Sequence, residues 1–455
     1  MKKIVFIFMC FMILFNSSCK RGTSSTEKVY EEEQASGDQR MEWFKDAKFG
    51  MFIHWGVYSG AGGEWNGETN HAEWLQFTAK IPLKEYTEYA KTFNPIKFNA
   101  KEWVSIAKNA GMKYIVVTAK HHDGFAMYDS QTSSHNIVKG SAFKRDPLKE
   151  LAEECEKQGL KFCTYYSLGR DWEDPDCPTG YAGNIAWRSN LIDYPIEKNK
   201  VLQRYLDRKA IPQIKELLTN YGPLGIMWFD TYELVSKQQG QKIVDIIRKL
   251  QPECIINSRV GPCLGDYKVN EQEIPEGKYM KPWESCMTMN NHWGYNKADD
   301  NWKTNKKLIR HLVDITSKGG NFLLNVGPTG TGVFPEPSLE RLKAMGSWLK
   351  VNGEAIYETQ FSPFEKFNWG RCTIKKDSEN TILYFSVFDW PKDGELYIPE
   401  LKNEVLQSTL LVNNQLIKTR SSNEGLIIKL PKTAPDPIAS VIKIVIAGNI
   451  ELSSL

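Results

Sequence analysis

DPLKELAEECEKQGLKFCTYY (146–166) holds a helix and the strand that follows it. Asp146 is a capping residue, and Pro147 suits a first helical turn because its fixed φ is already helical. Leu148, Leu151, Ala152 and Cys155 recur at helical spacing on one face, and Gly159 ends the run. LKFCTYY (160–166) is short, apolar and aromatic, the pattern of a buried strand. Upstream, Asn99 with Glu102 forms a capping box, Gly111 stops that helix, and YIVVTA (114–119) follows as a strand. The unit is therefore helix–strand–helix–strand.

The same alternation extends in both directions. FGMFI (49–53), GIMWF (225–229), CIIN (254–257) and FLLNV (322–326) read as further strands. Ile243, Val244, Ile247 and Leu250 stripe one intervening helix, and Leu308, Leu312 and Ile315 another. Strands alternating with helices call for a parallel sheet, either closed or open. FGMFIHWG (49–56) lacks the glycine-rich turn that marks a dinucleotide site on an open sheet. Polar residues instead follow strand after strand, which favours a (β/α)8-like TIM barrel, whose loops at one end build the site. After Gln360, LYFSVFDW (383–390), GELYIP (394–399), STLLV (408–412), GLIIKL (425–430) and VIKIVI (441–446) are short strands with no helical stripe between them. They read as a C-terminal all-β sandwich. The expected division is 41–360 for the catalytic barrel and 361–455 for the sandwich.

Composition limits the function. Of 455 residues, 41% are apolar and 25% charged, as in an ordinary globular protein. The net charge of +3 is too balanced for a nucleic-acid footprint, so no nucleic-acid partner is expected. Seven cysteines beyond Cys19 are odd in number and widely spaced, which indicates neither a disulfide framework nor a zinc site. No metal and no cofactor is expected.

The N-terminus reads as an address. Lys2 and Lys3 precede an apolar run, Ile4 to Phe15, and then Asn16-Ser17-Ser18-Cys19. The run rises only about 18 Å as a helix, too short to span a bilayer. It resembles a lipoprotein signal peptide (1–19) with Cys19 as the lipidation site, followed by a polar tether over 20–40. The expectation is export to the periplasm or outer membrane of a Gram-negative bacterium, with the membrane touched only through the lipid.

In a barrel, the strand tips converge on one pocket. Here the tips supply His54, His121-His122-Asp123, Tyr165-Tyr166, Asp230 and Arg259. Adjacent strand residues face opposite ways, so a metal held by both His121 and His122 needs special backbone. Imidazoles that donate and accept hydrogen bonds suit a neutral polyol better. Asp230, after Trp228-Phe229, is a carboxylate in an aromatic setting, a candidate for catalysis. Glycoside hydrolysis needs a second carboxylate. Glu271, Glu273, Glu276 and Glu284 are all available, and spacing alone does not choose among them.

KFGMFIHWGVYS (48–59), HAEWLQF (71–77), AKHHDGF (119–125), MWFD (227–230), PWESC (282–286) and NFLLNVGPTGTG (321–332) together resemble the α-L-fucosidases, family twenty-nine of the glycoside hydrolases. The resemblance runs from about Trp43 to Tyr357. It implies a retaining exo-glycosidase acting on terminal α-L-fucose of glycans, with Asp230 as nucleophile. It implies sugar contacts from His54, Glu73, Trp74, His121, His122, Tyr166, Trp228 and Arg259. Glu271, twelve residues after Arg259, fits the family's gap for the acid/base. Glu284, in the family's Trp-Glu-x-Cys signature, is the alternative. Two competing functions are a glycan-binding lipoprotein without chemistry and a barrel hydrolase for a related sugar such as L-galactose.

Overall fold

Lys48 closes a short helix, Glu42–Ala47, in left-handed backbone, and the chain turns there into the first of eight parallel strands. A computed structural model describes residues 39–178, 192–277, 281–422 and 424–452. The apolar run 4–15, Cys19 and the tether up to residue 38 lie outside the described residues. From Arg40 onward the chain is one unit.

The strands are β1 Phe49–Ile53, β2 Tyr114–Lys120, β3 Lys161–Ser167, β4 Ile226–Asp230, β5 Ile255–Ile256, β6 Lys268–Glu271, β7 Trp283–Thr288 and β8 Asn321–Val326. They pair in the order β5-β4-β3-β2-β1-β8-β7-β6. The two outer strands meet at a parallel bridge, Asn257 with Tyr267, beside a 2.7 Å bond from Asp266 N to Ile256 O. That contact closes the sheet into the expected barrel.

Helices α1 Leu83–Thr92 and α2 Ala100–Asn109 join β1 to β2, and α3 Pro147–Gln158 joins β2 to β3. Then come α4 Ile211–Asn220, α5 Lys237–Leu250, α6 Asn305–Ser317 and α7 Glu336–Asn352. The capping signals act where the sequence puts them: Asn99 accepts from Glu102 N, Asp146 from Lys149 N, and Gly159 ends α3 at φ 76°. Among the described residues no α-helix lies between β5 and β6 or between β6 and β7. Those connections are a turn at Ser258–Val260 and a loop, so the barrel is irregular on this side.

Side chains alternate across the barrel wall as a period of two requires. Phe52, Tyr114, Val116, Cys163, Tyr165, Ile226, Trp228, Cys286 and Leu323 fill the interior, closed from below by Phe44. Met51, Ile115, Val117, Phe162, Tyr166, Met227 and Phe229 face the helices. Strands β1 to β4 and β8 are thus buried on both sides over nearly all their length, which is why they read as continuous apolar runs.

Beyond α7, β9 Gly370–Asp377, β10 Asn380–Val387, β12 Val405–Leu410, β13 Gln415–Leu416 and β16 Ser440–Ala447 form an antiparallel sheet. A second sheet holds β11 Glu395–Pro399, β14 Thr419–Ser422 and β15 Gly425–Lys429. Leu383, Phe385 and Ile444 from one sheet meet Leu396, Ile398 and Ile428 from the other in a single core, so this is a sandwich. Ile382 and Tyr384, on the opposite face of β10, pack with the barrel's core instead. Arg310 on α6 reaches Ile438 O at 3.0 Å, Trp348 Nε1 reaches Ala439 O at 3.0 Å, and Arg371 pairs with Asp314. These bonds fix the sandwich to the helical layer, away from the strand tips.

Candidate active site

The strand tips surround a cavity of about 420 Å³. Asp230 ends β4 and points inward because it lies two residues beyond Trp228, which faces the interior. Its Oδ2 accepts from Tyr165 Oη at 2.9 Å and its Oδ1 from Arg259 Nη1 at 2.7 Å. Burial by itself raises the carboxyl's pKa, but Arg259, Arg170 and the Tyr165 hydroxyl more than reverse this. Asp230 is therefore held below the ordinary aspartate range, as an anion.

Arg259 Nη2 reaches Glu271 Oε2 at 2.6 Å. One guanidinium thus spans two carboxylates, Asp230 and Glu271, both of which line the cavity. Glu271 ends β6 with its side chain 40% exposed, open to solvent.

Glu284 occupies a different place. Its side chain has no exposed surface and does not line the cavity. Oε1 accepts from Trp228 Nε1 at 2.8 Å and Oε2 from Tyr114 Oη at 2.7 Å, so Glu284 braces the tryptophan of the pocket floor from below. The alternative reading of Glu284 as acid/base is corrected on this ground: a carboxyl sealed inside the barrel cannot meet a glycosidic oxygen. Glu273 and Glu276 do not line the cavity either.

Burial raises the Glu284 carboxyl from 4.5 to about 7, against the lowering pull of its bonds to Trp228 and Tyr114. Between about pH 4.5 and 7 the folded chain holds a proton that the unfolded chain has released, so stability falls as pH rises through that window. Urea unfolding at pH 5 and pH 7.5 should show the parent losing up to about 3 kcal/mol relative to Glu284→Gln. An identical pH dependence in both proteins would contradict the buried acid.

The histidines are poised as neutral hydrogen-bonding groups. Asn325 Nδ2 donates to Trp293 O at 2.7 Å, which turns its Oδ1 toward His54 Nδ1, 2.7 Å away. His54 therefore carries its proton on Nδ1 and leaves Nε2 as an acceptor. Burial pushes its pKa down to about 4. Both His121 and His122 line the cavity, despite being neighbours in sequence. The register against β3 shifts between Thr118 and Lys120, and both histidines lie past the end of β2, where strand alternation no longer applies. Burial holds both well below the usual histidine range, helped by the neighbouring His54 for His121 and by His121 for His122.

Glu73 and Trp74 come from a turn, Ala72–Trp74, in the β1–β2 connection, and both line the cavity. Glu73 Oε2 accepts from Gly294 N at 2.8 Å. A Cβ at position 294 would stand 2.9 Å from Glu73 N, so this close approach requires glycine.

Tyr166 is not in the site. It faces the helices, its hydroxyl donating to Gln213 on α4 at 2.8 Å. Tyr165, one residue earlier, is the tyrosine of the pocket; a slip of one along a strand exchanges the two faces. Tyr165→Phe should lower kcat by roughly tenfold, since a bond to a charged partner contributes about 1.5–3 kcal/mol, and should move the acid limb of the pH–rate profile upward. Tyr166→Phe should leave kcat unchanged and cost about 1 kcal/mol of stability. The reverse pattern in the two variants would restore the original assignment.

Sequence reading missed three further residues. Arg170, in the loop after β3, places Nη1 3.3 Å from His122 Nε2 and its guanidinium over the Trp74 ring at 5.2 Å. Trp293, in the loop after β7, lies 5.0 Å from the His54 ring, and Phe52 lines the floor. The loop residues follow no period, so no sequence signal singled them out. Phe52 alternates with Gly50 and His54 on the inward face of β1, a pattern that could have revealed it.

The α-L-fucosidase family profile matches residues 17–354, and that of the α-L-fucosidase C-terminal domain matches residues 371–445. The plasma α-L-fucosidase of Homo sapiens is 31% identical over 439 residues, 88% of each chain. The crystal structure of an α-L-fucosidase from Vibrio sp. strain EJY3 superposes with a TM-score of 0.84 at 34% identity, over 92% of this chain and 74% of that one. A glycoside hydrolase family 29 α-L-fucosidase from Bacteroides thetaiotaomicron, trapped as a covalent intermediate with 2-fluoro-fucosyl fluoride, superposes with a TM-score of 0.79 at 30% identity, over 90% and 96% of the two chains.

Proposed function

The chain belongs to the α-L-fucosidase family of glycoside hydrolases, and we propose on that footing that it releases terminal α-L-fucose from glycans by a double displacement between Asp230 and Glu271. The observation that carries this reading is the single Arg259 guanidinium shared by the two carboxylates. A shared guanidinium holds the two carboxylates beside each other in one cavity, as a pair acting on a single glycosidic bond must be.

In the first step an Asp230 oxygen attacks C1 of the sugar. The bond from C1 to the aglycone oxygen breaks, and that oxygen takes the proton of the Glu271 carboxyl. Arg259 and Tyr165 hold Asp230 in one orientation, so little reorganisation is left for the transition state. Having given up its proton to the leaving oxygen, Glu271 is the carboxylate that the second step requires. Glu271 then takes a proton from water, the hydroxide oxygen bonds to C1, and Asp230 leaves as the anion. Two displacements at C1 restore the α configuration.

His54, His121 and His122, neutral in a buried setting, with Glu73, suit the hydroxyls of a neutral sugar. Trp228, Trp293 and Phe52 offer the apolar wall that a methyl group needs. Proton NMR of the released sugar tests the stereochemistry: α-L-fucose should appear first and mutarotate later, and β-L-fucose as the first product would sink the double displacement.

We also propose that the protein is exported and anchored through a lipid on Cys19. Lys2-Lys3, the apolar run 4–15 and the Ser-Ser-Cys that follows support it. Cells fed labelled palmitate should label the parent and not Cys19→Ser; equal labelling of both would refute the anchor.

A further inference from the structure

Among the described non-glycine residues with left-handed backbone, Thr231 alone is β-branched, at φ 58°. Branching at Cβ makes this region costly, and such an outlier persists only where its surroundings hold it. Thr231 directly follows Asp230 and is buried. Its Oγ1 donates to the backbone oxygen of Asp230 at 2.7 Å and lies 3.2 Å from Ser167 Oγ on β3. That same Asp230 oxygen accepts from Leu168 N at 2.8 Å.

Ser167 continues the chain of contacts to the sugar pocket. Arg170 only donates, so its contact with His122 requires a lone pair on Nε2 and puts the proton of the neutral ring on Nδ1. Nδ1 then donates to Ser167 Oγ at 2.7 Å. Ser167 Oγ in turn donates to Arg170 O at 2.9 Å, so it meets Thr231 by packing, and Thr231, Ser167 and His122 stand in contact from the backbone of Asp230 to a wall of the pocket. Gly169 presses on the same turn, since a Cβ there would stand 2.3 Å from Thr231 O. A similar arrangement recurs at the other carboxylate. Gln272, directly after Glu271, has φ 56°, and its side chain bonds Thr288 on β7 at 3.0 Å. In both places the strand stops at the carboxylate and the next residue turns sharply away.

We propose that Thr231 is a positioning residue, its hydroxyl fixing the peptide that aims Asp230 and its left-handed backbone being retained for the sake of that hydroxyl. The proposal rests on Asp230 being the nucleophile.

Thr231→Gly relieves the backbone and removes the hydroxyl. Its Tm should equal or exceed that of the parent, while kcat on an aryl α-L-fucoside falls by roughly tenfold or more with KM little changed. Thr231→Val keeps the shape without the hydroxyl and should lose kcat to the same extent. Thr231→Ser keeps the hydroxyl and should stay within about threefold of the parent, because the aim of the nucleophile is what sets the rate. Parental turnover in the Gly or Val variant overturns the proposal, as does a Ser variant as slow as Gly. A Gly variant with lowered Tm overturns the part concerning strain. Asp230→Ala, assayed alongside, judges the nucleophile separately: if it keeps turnover, that assignment fails whatever the Thr231 variants do.

Discussion

Replacing Asp230 by glycine should lower turnover of an aryl α-L-fucoside by ~10⁴-fold or more, the scale on which loss of a covalent nucleophile acts. The loss is large because Asp230 is the pocket carboxylate that meets both Tyr165 and Arg259. Arg259 then keeps Glu271 but loses one of its two carboxylates beside an emptied position, which costs some stability as well. Both deficits answer to the same remedy. Azide is small enough for the vacated space and carries the negative charge that Asp230 supplied there. It should restore turnover and give the β-fucosyl azide, formed by one displacement where the parent makes two. Asp230→Asn, which fills the space, should be inactive and should not respond to azide. Turnover restored in Asn but not in Gly would show that the carboxylate does something other than attack.

The second large effect concerns Glu271. Glu271→Gln should slow release of fucose from an oligosaccharide by ~10³-fold, within the range general acid catalysis contributes. Formation of the fucosyl-enzyme from fucosyl fluoride, whose leaving group needs little protonation, should slow far less. Its hydrolysis still needs a base, so the ester should accumulate as a burst. Glu284→Gln should lack this dependence on the leaving group, since Glu284 touches Trp228 and Tyr114 and not the cavity. A burst in the Glu284 variant and none in the Glu271 variant would exchange the two roles.

The dense apolar strands were legible in sequence because a barrel strand is buried on both sides. β6 was not, because KVNE (268–271) is a short closing strand, partly exposed and with one apolar residue. β7, WESCMT (283–288), hides among polar residues that the barrel interior nevertheless buries, Glu284 above all. Of the strand-tip residues, His54, His121, His122, Asp230 and Arg259 line the cavity, and Tyr166 does not. Period two separates Tyr165 from Tyr166 without saying which faces inward. Pairing supplies the answer, since Tyr165 lies opposite Trp228 and Tyr166 opposite Phe229. Arg170 and Trp293 reach the pocket from loops, where position is decided by partners distant in sequence.

A double displacement requires a covalent bond between fucose and Asp230. In 2-deoxy-2-fluoro-α-L-fucosyl fluoride the 2-fluorine slows both displacements while the good leaving group keeps the first one fast enough, so the ester should persist. Mass mapping of a proteolytic digest should then find one added 2-fluorofucosyl group, on Asp230. A label on Glu271 or on any other residue, or an enzyme that turns the reagent over with no covalent adduct, would contradict the account.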